Sequence, residues 1–416
     1  MRSLILSAVV GGAALLLSGG TRVDVAAADT GAAATRAVGD EGREQAPSIP
    51  RLQVAEAIDR AMVFLAERQA EDGGWAGPFP GSDPAITALV ARGFICHPNY
   101  GSRHEITRRA VACVLRFRQP DGGIYNPQTG YANYTTSIVL TMLADLKDPQ
   151  QVAVIRGAQK FLTNEQWTEN RKDDDGRPID KDHAWYGGAG YGRGRRPDLS
   201  NTHMMIEALY ASGLPADDPA FQRALVFIAR CQMLSRTNDQ PFAREGGDGG
   251  FIYSPANDGE SKAGTIEVDG RVRLRSYGSM TYAGFKSMLY ARVDREDPRV
   301  RAAWEWIGRH YTLDSNPNMP ESQTQEGLYY YYHTFAKALL AWGEPKVTDA
   351  AGVAHDWRGD LCAALLRRQR ADGSWINEAD RWYEGSPDLV TAYAIVALQT
   401  ALHESPPGHV PATQAR

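Results

Sequence analysis

Two side chains suited to acid–base chemistry stand at the starts of two separate apolar segments. Asp198 lies four residues before Thr202, and His333 directly precedes Thr334. A carboxyl and an imidazole can exchange protons with a substrate when both reach a common space. We therefore take Asp198 and His333 as the candidate catalytic pair. Because Asp is also a preferred helix N-cap residue, a capping role for Asp198 stays open.

Candidate ligand-binding residues surround the same segment starts. Aromatic side chains combine an apolar face with a polar edge, which suits isoprenoid chains, cations or stacked sugars. Arg271 belongs to one of two arginine clusters, which would attract an anionic group or simply be solvated and paired with Asp and Glu. Asp83 and Asp388 are further carboxylates. The ligand-binding set is Asn201, Arg271, Tyr277, Ser279, Tyr282, Tyr330, Trp382 and Asp388, with no metal site and no cofactor expected.

A recurring unit must position these residues. An apolar segment ends at Gln, an Asp-Gly turn with an aromatic follows, and a second apolar segment opens near Thr. Repetition at a period of about 50 residues indicates a repeat architecture. We interpret the turns as structural, with the aromatic packed between repeats and the Gln amide bonded to neighbouring backbone. The turns are Gln69–Trp75, Gln119–Tyr125, Asp248–Phe251 and Gln369–Trp375.

The two segments of each unit differ in apolar pattern. Ile58, Ala61, Met62 and Leu65 are spaced as one face of a helix, whereas the second segments are apolar almost all round. Six such pairs predict an all-α fold, an (α/α)6 toroid with the second helices inside. The predicted outer helices are Val54–Gln69, Thr107–Gln119, Gln151–Gln166, Ala220–Gln232, Val300–Tyr311 and Trp357–Gln369. The inner helices open at Thr87, Thr135, Thr202, Thr281, Thr334 and Thr391.

One segment breaks the helical pattern. Residues Thr265–Leu274 alternate apolar and polar side chains around Asp269-Gly270. This pattern predicts a small β-hairpin with a type I′ turn, the main sheet of the protein.

The N-terminal residues read as a targeting segment. Arg2 precedes an uncharged apolar run, Leu4–Leu17, and small residues follow at Ala26-Ala27-Ala28. We expect a signal peptide over 1–28 and export to the periplasm or the extracellular space. The run is shorter than the roughly 20 residues of a membrane span, although an uncleaved anchor is the alternative. A disordered leader (29–50), the toroid (51–403) and a flexible tail (404–416) would follow.

Composition limits the classes of partner. The net charge of −5 gives no reason to expect nucleic acid. The four cysteines show no C-x-x-C spacing, so Cys113, Cys231 and Cys362 are best explained as buried thiols. Nothing in the sequence decides the oligomeric state, or whether Cys96 and Cys113 form a disulfide.

The Gln–Asp-Gly–Trp unit between paired helices resembles the QW repeats of squalene–hopene cyclases, and more broadly the terpenoid cyclase and protein prenyltransferase superfamily. The resemblance covers about Gln53 to Leu402. It implies the α/α toroid and a central cavity for a polyprenyl, terpenoid or other lipidic ligand. Fold alone does not imply a reaction.

The family's catalytic motifs are altered in this chain. The cyclases' Asp-x-Asp-Asp-Thr corresponds to Asp198-Leu199-Ser200-Asn201-Thr202, where a hydroxyl at Ser200 is far too weak an acid to protonate an alkene. The prenyltransferase zinc ligands correspond to Tyr277, Ser279 and His333, and a single imidazole does not make a zinc site. Arg271 falls near that family's diphosphate-binding Arg.

Three hypotheses follow. The first is an exported toroid that binds a hydrophobic or isoprenoid small molecule, with transformation of that molecule left open. The second is a secreted carbohydrate-active protein, and the third is a non-catalytic interaction protein. We favour the first for the class of ligand.

Overall fold

The computed structural model describes residues 50–244 and 246–403. Within these residues the chain forms twelve α-helices, which alternate between an outer and an inner position. The outer helices are α1 (Arg51–Glu67), α3 (Glu105–Leu115), α5 (Val152–Glu165), α7 (Pro219–Cys231), α9 (Pro298–Arg309) and α11 (Trp357–Arg368). The inner helices are α2 (Pro84–Ile95), α4 (Ala132–Leu146), α6 (Leu199–Ala211), α8 (Gly278–Tyr290), α10 (Leu328–Trp342) and α12 (Pro387–Leu402).

The inner helices form a closed ring. Each packs against the next in chain order, and α12 returns to pack against α2. The ring closes through a hydrogen bond in which Gln399 Nε2 donates to the Gly93 carbonyl at 2.9 Å. Almost every residue of the inner helices is buried, whereas each outer helix buries only one face. The predicted (α/α)6 toroid is therefore confirmed.

Glutamine side chains join one repeat to the next. Gln166 Nε2 donates to the Gly187 carbonyl of its own turn at 3.1 Å and to the Ala220 carbonyl in the next outer helix at 2.9 Å. In the fifth repeat, the hydroxyl of Tyr311 takes over this connection and donates to Asp360 in the next outer helix at 2.8 Å. The predicted bonding of Gln to neighbouring backbone is thus confirmed.

The turns lie tightly against the backbone of the following outer helix. Gly73 has φ of +91°, and a Cβ at this position would lie 2.5 Å from the carbonyl oxygen of Arg109. Only glycine, which has no Cβ, can adopt this positive φ and also lie so close to the Arg109 carbonyl. The turn therefore serves as the contact surface between repeats.

Threonine side chains tie five of the turns to the inner helices that follow them. Thr87 Oγ1 accepts from the backbone N–H of Trp75 at 3.0 Å. In the second repeat this position belongs to Thr136, which accepts from Ile124 N at 2.9 Å, rather than to Thr135. The prediction of Thr135 was wrong by one residue, because two adjacent threonines offered no basis for choosing the register.

Two hairpins interrupt the helices. Strands β1 (Thr265–Val268) and β2 (Arg271–Leu274) pair antiparallel, and Asp269 and Gly270 between them have φ of +52° and +73°. Both angles have the sign that a type I′ turn requires, so the predicted hairpin is confirmed. A second pair that the pattern did not indicate joins β3 (Lys346–Thr348) to β4 (Ala354–Asp356).

The predicted signal peptide, most of the predicted leader and the predicted tail lie outside the described residues. Within residues 50–244 and 246–403, no helix combines the length and apolar character that crossing a bilayer requires. Cys113, Cys231 and Cys362 are buried as free thiols, and Cys96 is an exposed one.

Candidate functional site

A cavity of about 390 Å³ lies at the end of the ring where the inner helices begin. All six inner helices contribute residues from their first turns, so the ring closure described above defines its wall. The lining residues are Pro78, Asp83, Ala85, Ile86, Tyr131, Tyr134, Thr135, Tyr191, Ser200, Tyr253, Lys262, Tyr277, Ser279, Met280, Tyr330, Trp382, Tyr383, Glu384, Leu389 and Tyr393.

Aromatic rings make up much of this wall. Tyr131 packs edge-on against Tyr191 with ring centroids 5.3 Å apart, and Tyr330 packs against Tyr393 at 6.1 Å. Burial raises the pKa of Tyr330 well above its ordinary value, so its hydroxyl stays protonated. The wall therefore offers apolar faces with neutral hydroxyl groups at their edges.

The rim carries an unusual backbone. Trp382 and Tyr383 are consecutive non-glycine residues with φ of +59° and +66°. Their side chains are 41% and 38% exposed although both line the cavity. Such left-handed conformations carry a steric cost and cluster at functional sites.

Two carboxyl groups face the cavity. Asp83 Oδ1 accepts from the N–H groups of Ala85 and Ile86 at 2.8 and 3.0 Å and so caps α2. Burial raises the pKa of Asp83 above its ordinary value, against the effect of these two hydrogen bonds.

Glu384 is the second of these carboxyl groups. Its Oε1 accepts from the N–H of Tyr330 at 2.7 Å, and its Oε2 accepts from Asn377 Nδ2 at 2.6 Å. Burial raises its pKa to about 7. The residue thus caps α10 from a loop far along the chain, which no local sequence pattern indicates.

Asp198 lies behind the wall, outside the set of lining residues. Its Oδ1 accepts from Asn201 N at 2.8 Å, and its Oδ2 accepts from Asn201 Nδ2 at 2.8 Å. The Tyr253 side chain, which lines the cavity, also interacts with this carboxyl. Burial raises the pKa of Asp198 to about 6. Asp198 and Asn201 therefore cap α6, the alternative that the sequence left open.

His333 lies deeper on the axis and does not hydrogen-bond to Asp198. Its ring packs against Tyr393 with centroids 5.2 Å apart, and its Nδ1 has no hydrogen-bond partner among the described residues. Burial and the nearby charge of Lys337 hold the pKa of His333 well below its ordinary value, so the imidazole is neutral. The structure thus does not join the two predicted catalytic residues into a pair.

The other predicted ligand-binding residues divide into two groups. Tyr277, Ser279, Tyr330 and Trp382 lie in the cavity wall. The remaining three lie elsewhere: Tyr282 packs against Phe335 inside the helical layer, Asp388 is paired with Arg68 at 2.5 Å, and Arg271 is exposed on the hairpin. Alignment of the helix starts placed all seven at one end of the ring, but it carried no information on side-chain direction.

A hydrogen-bonded chain leads from the wall into the ring axis. Ser200 Oγ lies 3.0 Å from the Tyr330 hydroxyl, which also bonds to Nε2 of His203. Ser200 and Tyr330 line the cavity, whereas His203 is fully buried. Sequence reasoning noted Ser200 only as the position of a missing acid, and it overlooked His203.

Beyond His203 the axis is filled by charges. Glu207 is one helical turn further along α6 and forms ion pairs with Lys286 and Lys337. Arg92 lies 4.0 Å from Glu207 and also binds Asp145 at 2.7 Å. Glu207, Lys286, Lys337 and Arg92 are all buried.

Comparisons with known proteins support the fold. No family model matches the chain, and no curated protein matches it. A crystal structure of a protein from Actinoplanes is similar, with a TM-score of 0.50 at 20% identity, over 84% of this chain and 99% of that chain. The apo type II terpene cyclase MstE from Scytonema is similar with a TM-score of 0.51 at 17% identity, over 84% and 98% of the two chains.

A glycoside hydrolase of family 76 from a bovine Bacteroides thetaiotaomicron strain is also similar. Its TM-score is 0.52 at 11% identity, over 83% of this chain and 77% of that chain. A variant of the Scytonema cyclase has been solved in complex with its substrate, geranylgeranyl dihydroxybenzoate. At these identities the likeness shows a shared fold.

Within the described residues, no group of three or more His, Cys, Asp or Glu side chains is arranged to hold a metal ion.

Proposed function

We propose that this protein binds a polyprenyl, terpenoid or similar lipidic small molecule in the central cavity of the toroid. The observation that carries the proposal is the wall itself, in which neutral aromatic rings and aliphatic side chains surround about 390 Å³. A volume of this size falls within the range of small-molecule sites, about 300–1,000 Å³. The Scytonema cyclase, which has the same fold, has been solved with an isoprenoid substrate.

Export belongs to the same proposal. The apolar run Leu4–Leu17 and the small residues Ala26-Ala27-Ala28 support a signal peptide over 1–28. N-terminal sequencing of protein recovered outside the cytoplasm should begin near Asp29. Recovery of the protein with its original N-terminus would contradict cleavage.

Binding is tested with farnesol and a variant that fills the cavity. Leu389 lines the cavity and is 6% exposed, so Leu389→Trp places a larger ring in the ligand space. The matched control is Leu52→Trp, because Leu52 is 73% exposed on α1. Farnesol that co-elutes with the protein in size exclusion is measured by mass spectrometry.

We expect the wild type and Leu52→Trp to retain farnesol and Leu389→Trp to lose at least tenfold in retained ligand. Equal retention by Leu389→Trp would place the ligand elsewhere and contradict the proposal. Absence of farnesol and of any co-purifying lipid from the wild type would contradict it as well.

A second candidate function is binding of a carbohydrate. Trp382 and Tyr383 expose aromatic faces at the rim, and Asp83 and Glu384 present carboxyl groups in the wall, features that suit a sugar chain. The same Leu389→Trp and Leu52→Trp proteins, titrated with tetrasaccharides of glucose or mannose, address this candidate. Cavity-dependent sugar binding without farnesol binding would replace the first proposal with the second.

A further inference from the structure

We propose that Ser200 recognises an oxygen function of the ligand, a hydroxyl or a carbonyl, and that Tyr330 and His203 support it as a reversible hydrogen-bonded chain. This inference rests on the proposed lipidic ligand, and it narrows that ligand from a hydrocarbon to an oxygenated lipid. Neither Ser200 nor His203 belongs to the set of site residues that the sequence indicated.

The geometry places Ser200 at the cavity end of the chain. Its Oγ lies 3.0 Å from the Tyr330 hydroxyl, and Tyr330 reaches across from α10 to bond His203 on α6. Ser200 is half-buried in the cavity wall, and His203 is fully buried. A ligand in the cavity therefore meets Ser200 and Tyr330, and it does not meet His203.

The imidazole at the inner end is neutral. Burial and the nearby charge of Lys286 hold the pKa of His203 well below its ordinary value. A neutral imidazole has one N–H donor and one nitrogen acceptor. Because Nδ1 of His203 has no hydrogen-bond partner among the described residues, no neighbouring side chain fixes which nitrogen carries the proton.

The chain can consequently run in either direction. When Nε2 of His203 is the acceptor, Tyr330 donates to it, Ser200 donates to Tyr330, and Ser200 Oγ accepts from a ligand hydroxyl. When Nε2 carries the proton, it donates to Tyr330, Tyr330 donates to Ser200, and Ser200 donates to a ligand oxygen. Ser200 thus satisfies either a donor or an acceptor on the ligand.

A ligand without oxygen leaves the Ser200 hydroxyl with one hydrogen bond fewer, beside the apolar surfaces of the wall. Pro78, Ile86 and Leu389 also line the cavity and give it apolar surface. Unsatisfied polar groups in such surroundings weaken binding by about tenfold or more.

The experiment compares farnesol with farnesene, which has the same carbon number and no oxygen. Dissociation constants for both probes, delivered from cyclodextrin, are measured for the full chain and three variants. Ser200→Ala removes the recognising hydroxyl, and Ser200→Thr keeps it. Ser287→Ala is the matched control, because Ser287 is a buried inner-helix serine outside the cavity wall that donates to the Ala283 carbonyl at 2.8 Å.

We expect the ratio of the farnesene to the farnesol dissociation constant to fall about tenfold in Ser200→Ala and to stay within twofold of wild type in Ser200→Thr and Ser287→Ala. Thermal unfolding establishes that each variant is folded. Wild-type binding of both probes with an unchanged ratio in Ser200→Ala would overturn this inference alone. Failure of the wild type to bind either probe would overturn the proposed function, and this inference with it.

Discussion

Lys337 of α10 forms an ion pair with Glu207 of α6 inside the ring, although α8 lies between these two helices in the ring order. Lys286 of α8 binds the same carboxylate. Although burial opposes ionisation, the two ammonium groups hold the pKa of Glu207 well below its ordinary value. One carboxylate therefore connects three inner helices, α6, α8 and α10.

Glu207→Leu should destabilise the protein by about 3–5 kcal/mol, because it leaves two ammonium groups buried without their carboxylate. Chemical denaturation monitored by circular dichroism measures the free energy of unfolding. Arg92 keeps its bond to Asp145 and does not need replacement.

The control for this prediction removes all three charges together. Glu207→Leu combined with Lys286→Met and Lys337→Met should recover most of the lost stability, since buried ion pairs are often replaceable by apolar side chains. If the single and triple variants were equally stable, the loss in Glu207→Leu would have a cause other than the two unpaired ammonium groups.

Gln232→Ala should cost about 2 kcal/mol and more than Gln119→Ala, because Gln232 is fully buried whereas Gln119 is half-buried. Gln232 Nε2 donates to the Gly249 carbonyl at 2.9 Å and to the Arg299 carbonyl of the next outer helix at 2.8 Å. Gln119 Nε2 donates only to carbonyls near its own turn, those of Phe117 and Tyr125. Each such bond contributes about 1 kcal/mol, and a buried carbonyl left unpaired adds to the cost.

Urea unfolding of the two variants side by side measures the difference. A smaller loss in Gln232→Ala than in Gln119→Ala would contradict the view that the link between repeats, rather than the turn itself, is the stabilising feature.

The sequence predicted the helical layers because their physical cause is local. The apolar residues of α1 lie on one side because only that face of the helix is buried. Those of α2 lie almost all round because most of its faces are buried. The closed ring followed from six repetitions of that contrast. The hairpin turn was predictable for the same reason, because Asp269 and Gly270 both adopt the positive φ that the turn requires.

The site was less predictable because its contacts are distant in the chain. Glu384 caps α10 across more than fifty residues, and Ser200 meets Tyr330 across 130. Alignment of the helix starts indicated which end of the ring to inspect, but side-chain direction depends on packing. Asp388 illustrates the difference, because it turns to Arg68 rather than to the cavity.

Arg271→Ala should leave farnesol binding unchanged within twofold. Arg271 is exposed on β2 and is not part of the cavity wall, in contrast to Lys262, which is. The dissociation constants of wild type and variant for farnesol and for farnesyl diphosphate provide the comparison. Loss of binding specific to the diphosphate would show that this arginine recognises an anionic group near the mouth.

Asp198→Asn should remove a pH dependence of stability that the buried carboxyl imposes. The pKa of Asp198 is about 6 in the folded protein and 3.8 in an unpaired reference, because burial favours the protonated form. The folded state therefore binds more protons than the unfolded state between these values. The contribution of Asp198 to stability is fully present below pH 3.8 and is lost as the pH rises to 6, a change of about 3 kcal/mol.

The asparagine variant keeps the cap, because its amide oxygen accepts from Asn201 N and its amide nitrogen can donate to Asn201 Oδ1, which has no partner in the described residues. Relative to wild type, Asp198→Asn should therefore gain about 3 kcal/mol of stability between pH 4 and pH 7.5. Guanidinium unfolding of both proteins across this range measures the gain. A difference between the two proteins that stays constant with pH would mean that the carboxyl of Asp198 is ionised throughout this range, which would contradict its raised pKa.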